Sequence, residues 1–157
     1  WKNKIEFTYI GNVNKNYNFK NTKIIRPLSG EDLANELRKH NCYITASINE
    51  PAGMHHIEAA MCGLPLIYRS SGALPEYCQN YGVKLIENNL EETINIFIGR
   101  YLLNLKSINQ YNNNDTIMSK NYLDIFEKKL INSKKLIKKR NKFRLFILMI
   151  IFKVLPF

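Results

Sequence analysis

Glu50 and Glu58 stand eight positions apart in a stretch that carries little other charge. From Pro51 to Tyr68 the sequence reads PAGMHHIEAAMCGLPLIY, where Glu58 is the only acidic side chain and His55 and His56 the only basic ones. A carboxylate placed among residues patterned as core is costly unless something hydrogen-bonds it. A ligand rich in hydroxyls would supply those bonds, and so would a structural partner.

Each residue admits two readings. Glu50, in a loop ahead of a helix, can accept hydrogen bonds from sugar hydroxyls, orient a reacting carbon and stabilise positive charge developing there. It can equally be a carboxylate near a helix N-terminus, favoured by the dipole by about 0.3–1 kcal/mol. Glu58, inside the helix, can grip a cis-diol such as ribose O2 and O3, or simply face solvent. Gly53 allows close backbone approach, with the N–H groups of Gly53, Met54 and His55 aimed at an anion; an ordinary helix start reads the same. Adjacent histidines diverge by about 100° on a helix, so His55 and His56 do not chelate a metal in the i, i+4 manner. No metal site is expected.

Such residues need a scaffold to hold them. Strand-like and helix-like patterns alternate as far as Leu105. Ile5–Ile10 is β-rich and ends at Gly11, and Lys23–Arg26 is a short strand stopped by Pro27. Ser29 opens a helix as its cap, with Asp32 at the third helical position and Leu33 and Leu37 as its apolar stripe. Cys42–Ala46 is the next strand, followed by a helix from Gly53 to Cys62 that closes at Gly63. Pro65–Tyr68 is strand again, and the Ser70–Gly72 turn leads to a short helix with Pro75 in its first turn. Val83–Ile86 is a fifth strand, after which Asn89 and Glu92 cap a helix carrying Ile94, Phe97, Ile98, Tyr101, Leu102 and Leu105.

This alternation predicts an α/β fold of right-handed βαβ units, with one parallel sheet covered by helices on both faces. Such sheets bind ligands beyond the carboxyl ends of their strands, at helix N-termini. Glu50 and the Ser70–Gly72 turn each follow a strand and precede a helix, which puts both at that rim.

The α/β domain is expected over residues 1–106, a polar linker (Asn109–Asp115) and helix over 107–131, and a basic-hydrophobic tail over 132–157. The net charge of +10 belongs to the tail. Residues 1–100 hold 11 Lys/Arg against 10 Asp/Glu, residues 101–157 hold 12 against 3, and no acidic residue follows Glu127. Cys42, Cys62 and Cys78 are widely spaced, in apolar contexts and without a C-x-x-C pair. They read as buried free thiols in a reducing cytoplasm.

The run from Ser47 through Tyr77, SINEPAGMHHIEAAMCGLPLIYRSSGALPEY, resembles the donor-binding core of retaining glycosyltransferases of the GT-B fold, the large family-4-like group. The shared pattern is Glu50, Gly53 and Glu58, then Glu58-Ala59…Cys62-Gly63-Leu64-Pro65-Leu66-Ile67, then Gly72…Pro75-Glu76. The resemblance covers about residues 4–105, the C-terminal, Rossmann-like half of such an enzyme. It implies that Glu50 contacts the transferred sugar and Glu58 holds the ribose. Gly53, Met54 and His55 would face the sugar and diphosphate, with Ser71, Gly72 and Ala73 close to the same pocket. One of the two histidines would flank the diphosphate while the other packs. The base is expected near Arg26 and Leu28.

Family members place an Arg after the strand-ending Gly and a Lys several residues on; here Gly11 is followed by Asn12, with Lys15 and Lys20 the nearest cations. Those three are the phosphate-binding candidates. The implied chemistry is metal-independent transfer, with retention, from a nucleotide-diphosphate sugar to a glycan or glycolipid. No cofactor is implied. The chain begins at Trp1, and an acceptor domain is expected ahead of it. A non-catalytic binding or membrane-recruitment module is the competing reading.

In the tail, Lys134–Arg144 precedes the apolar run Leu145–Phe152. Eight apolar residues are too few to span a bilayer, which takes about twenty. The pairing suits peripheral attachment to an anionic membrane surface, on the cytoplasmic face, or packing against the acceptor domain. No motif for reading nucleic acid accompanies the charge.

Overall fold

A computed structural model describes residues 4–14 and 17–154, with side chains as far as Asn141. The chain divides into two units, residues 1–113 and residues 114–157.

The first unit is α/β. Its strands are β1 (Phe7–Ile10), β2 (Thr22–Ile25), β3 (Tyr43–Thr45), β4 (Leu66–Tyr68) and β5 (Gly82–Lys84). Its helices are α1 (Gly30–Leu37), α2 (His55–Met61), α3 (Leu74–Cys78), α4 (Leu90–Gly99) and α5 (Tyr101–Ile108). Every strand pairing is parallel, as the alternation predicts. The sheet, however, is in two pieces: β1 pairs with β2, and β3, β4 and β5 form a separate sheet in that order.

Strand β4 is buried throughout, which suits the centre of a parallel sheet. Its side chains alternate between two cores. Leu66 and Tyr68 pack with Ala59, Ala60, Leu74 and Cys78, while Ile67 packs with Val83 and Phe97. Helices therefore cover both faces of this sheet. Burying a Leu such as Leu66 or Leu74 contributes about 1.5–3 kcal/mol, and both are fully enclosed.

The helix ends follow local chemistry. Gly63, at φ +84°, lets the chain turn back so that its own N–H reaches Ala60 O and that of Leu64 reaches Ala59 O, satisfying the last carbonyls of α2. Asn89 caps α4 by accepting from the Glu92 N–H at 3.1 Å, and the two side chains meet at 2.7 Å. Ser29 sits at the N-cap of α1 in extended conformation but makes no side-chain cap bond. Gly30 follows it at φ +56°, so the first turn lacks the helical geometry that brings the third amide to a capping hydroxyl. Instead Glu36 ties α1 to its surroundings, with Lys39 at 2.6 Å, Lys23 of β2 at 3.7 Å and His40 at 3.8 Å. The Lys39 hydrogen bond, ahead of the other cations, holds the Glu36 carboxyl below the usual range.

The helix expected to run on to Leu105 breaks at Gly99–Arg100, where Arg100 has φ −108° and ψ 9°. Glycine is a weak helix former, and α5 restarts at Tyr101. In the second unit, α6 (Asp115–Val154) is continuous over 40 residues, across the sequence boundary between helix and tail. Among the described residues, no helix is long and apolar enough to cross a membrane.

Candidate functional site

The Glu50 loop is built by contacts between segments far apart in the chain. Asn49, at φ +54°, turns the backbone after β3, and its N–H donates to Ser71 Oγ at 2.8 Å. The Ala73 N–H donates to Glu50 O at 2.8 Å. Between them Gly72, at φ +59°, lies against Glu50 so closely that an added Cβ would stand 2.3 Å from Glu50 O and 2.6 Å from Glu50 N. The turn after β4 is thus a brace for the loop after β3. The Ala73 and Ser71 amides are both used internally, the latter on Arg69 O.

Glu50 keeps 24% of its side chain exposed, and its Oε2 lies 3.6 Å from His55 Nε2. The other ring nitrogen of His55, Nδ1, is 3.0 Å from the Tyr43 hydroxyl. Burial, reinforced by the negative charge of Glu58, pushes the Tyr43 phenol up to about 12. Three residues therefore stand in sequence, Tyr43 against His55 and His55 against Glu50, with the charge of Glu58 felt at the Tyr43 phenol. Gly53 makes the last contact possible, since a Cβ there would lie 2.8 Å from both the Glu50 carboxyl carbon and His55 Nε2.

His56 behaves differently. It is 0% exposed, its ring packs edge-on to His55 and tilted against Tyr77, and neither ring nitrogen has a partner in the protein. Burial, then the neighbouring His55, holds its pKa below the usual histidine value of 6.5, with Glu50 opposing. The adjacent histidines thus part company, one at the loop and one in the core.

A cavity of about 1400 Å³ has β1, β3, His55 and Glu58 in its wall, together with Gly11 and Leu28. Glu58 is exposed, and Glu50 is not in the wall, although its neighbour His55 is. Of the other sequence candidates, Met54 is 58% exposed and caps α2, which begins at His55, two residues later than the pattern suggests. Asn12, Lys20 and Arg26 are exposed and outside the cavity wall. Asn12 O accepts from the Tyr9 hydroxyl and Lys20 O from Thr22 Oγ1. Lys15 lies outside the described residues.

One residue absent from the sequence reading takes part, and a second lies near the same rim, paired elsewhere. Tyr43 opens β3 and reaches a residue twelve positions on, with only its place in a strand to mark it. Arg69, just after β4, places a cation at the carboxyl rim, where its Nη2 is 2.9 Å from Glu87 Oε1.

No curated protein and no solved structure matches the chain. The model of one family, described as glycosyl transferases group 1, matches residues 6–118. That span takes in all five strands, the braced Glu50 loop and α2, and it covers more than half of the sequence. With most of its length inside that match, the chain belongs to the glycosyl transferases group 1 family.

Proposed function

We propose that residues 1–113 bind the nucleotide-diphosphate sugar of a retaining, metal-independent glycosyltransferase. In this reading the Glu50 carboxylate contacts the transferred sugar, the Glu58 carboxylate holds the ribose hydroxyls, and the backbone from Gly53 to His55 faces the sugar and diphosphate. The observation that supports it is that Tyr43, His55 and Glu58 line one cavity of about 1400 Å³, with the Glu50 carboxylate 3.6 Å from His55 Nε2. Sugar transfer as the activity class comes from the family. The acceptor would be a glycan or glycolipid, presented by an acceptor domain preceding these residues, in polysaccharide or glycolipid synthesis. Charge on the leaving diphosphate needs compensation, for which Lys15 and Lys20 are the sequence candidates.

The test is calorimetric titration of the chain with UDP-glucose, UDP-N-acetylglucosamine and GDP-mannose in turn. Hydrogen bonds to a charged group are worth about 1.5–3 kcal/mol. Glu58→Ala is therefore expected to weaken binding by roughly 10- to 150-fold. Equal affinity in the variant removes the ribose role. Absence of binding by the unaltered chain favours a membrane-recruitment module.

The second unit supports an additional proposal, that α6 lies on an anionic membrane at the cytoplasmic face. Tyr122, Ile125, Phe126, Leu130, Leu136 and Ile137 are all exposed on it, and nine Lys/Arg fall between Lys128 and Arg144. Each basic side chain near such a surface is worth about 1 kcal/mol. Vesicles containing phosphatidylglycerol should retain the chain in low salt and release it in high salt. Equal retention on pure phosphatidylcholine would rule the electrostatic part out.

A further inference from the structure

We infer that Tyr43 is a positioning residue for the Glu50 carboxylate, acting through the tautomer of His55. The inference rests on the donor-site reading only for its consequence; the hydrogen-bond geometry stands by itself. The Tyr43 hydroxyl lies 3.0 Å from His55 Nδ1. A phenol whose ionisation is pushed up to about 12 keeps its proton at neutral pH, and with a carboxylate oxygen facing the other ring nitrogen the favoured arrangement is donation from Tyr43 to Nδ1. Nδ1 then accepts, which places the single imidazole proton on Nε2. Nε2 is the nitrogen that faces Glu50 Oε2, at 3.6 Å.

The other tautomer would set a nitrogen lone pair against a carboxylate oxygen, which is repulsive. The ring is held on other sides as well. The space beside it that a Cβ at residue 53 would need is taken up by the Glu50 carboxyl and Nε2, and the edge of His56 lies 5.1 Å from it between centroids. The charged and titratable groups around the relay are Glu50, Glu58 and His56, all on the loop or α2, with Tyr43 the contribution of β3. A carboxylate on a loop is thereby referred to a strand of the sheet. Sites anchored to regular elements hold their geometry better than sites left to loops.

The experiment uses the full chain labelled with nitrogen-15. Long-range proton–nitrogen spectra at about pH 8, above the usual histidine range, report the tautomer of each imidazole. His55 is expected in the Nε2–H form, and Tyr43→Phe is expected to convert it to a mixture while lowering the melting temperature by about 2–10 °C, the cost of one hydrogen bond. A wild-type His55 in the Nδ1–H form, or an unchanged tautomer in Tyr43→Phe, overturns the inference. Titration of both proteins with UDP-glucose and GDP-mannose then reads the consequence. A loss of about threefold to tenfold in the variant, the size of one neutral hydrogen bond, supports positioning. Equal affinity in the two proteins overturns the positioning role. If the wild type binds neither nucleotide sugar, the donor-site reading fails, while the tautomer result still decides the relay.

Discussion

Gly72→Ala is expected to push the Glu50 loop off the turn that braces it, destabilising the first unit by about 2–5 kcal/mol. Two costs add. A left-handed backbone costs a non-glycine residue about 1–2 kcal/mol, and Gly72 sits at φ +59°. Overlap costs typically about 1–3 kcal/mol more, because the new Cβ would stand 2.3 Å from Glu50 O and 2.9 Å from the Asn49 carbonyl carbon. The three nearest atoms are all backbone, so no rotation of a side chain relieves the overlap. Gly63→Ala is the control: its φ is +84°, but nothing lies within 4 Å of the added Cβ. It should show the conformational cost alone. Thermal melts of the two variants, together with nucleotide-sugar titrations, separate strain from displacement. Only Gly72→Ala should lose donor affinity, by about tenfold or more, the size of a lost hydrogen bond to a charged group. Equal behaviour of the two variants would mean that the brace does not position Glu50.

The second large effect concerns acid. His56 is wholly enclosed, and its ring nitrogens are unpartnered in the protein. Its folded pKa lies below the usual 6.5 because burial disfavours the charged ring. The unfolded chain therefore binds the proton more readily than the folded one, and stability rises with pH across that window. The contribution is fully present above pH 6.5 and drains away as pH falls from there towards the depressed folded value. Glu36 adds a lower step, since its folded pKa is depressed below 4.5 and its share is lost only as pH falls through that range. Each 1 kcal/mol lost lowers the melting temperature by about 4–8 °C in a domain of this size. His56→Leu should flatten the upper step and leave the lower one. A melting curve as steep between pH 6.5 and 4.5 in that variant as in the wild type would assign the acid sensitivity elsewhere.

What the sequence made legible was local. Gly63 as a left-handed terminus, Asn89 with Glu92 as a cap and Pro75 in a first turn each depend on a few consecutive residues, and the structure has all three. The parallel pairing followed from the order of strands and helices alone. What stayed hidden depends on segments that meet across the fold. The Asn49–Ser71 bond spans 22 positions and the Tyr43–His55 contact 12, and no periodicity encodes either. The Ser29 cap failed because its neighbour Gly30 adopts a backbone angle that residue type permits but does not announce. Glu50 and Glu58 were legible as a pair. The phenol that meets His55 beside Glu50 was not.

The interrupted ladder between β1 and β3 bears on how this unit opens. Among the described residues the β1 ladder pairs with β2 alone, and the pair holds to the remainder through side chains such as Ile10 in the core and Lys23 on Glu36 of α1. Regions with few shared backbone bonds form separate cooperative blocks and exchange their amides through partial opening. The β1–β2 block is therefore expected to open before the three-stranded sheet, which native-state hydrogen exchange would read as earlier amide exchange in β1 and β2. Asn12 and Lys20 ride on it, so any anion they meet would help fasten that block to the three-stranded remainder.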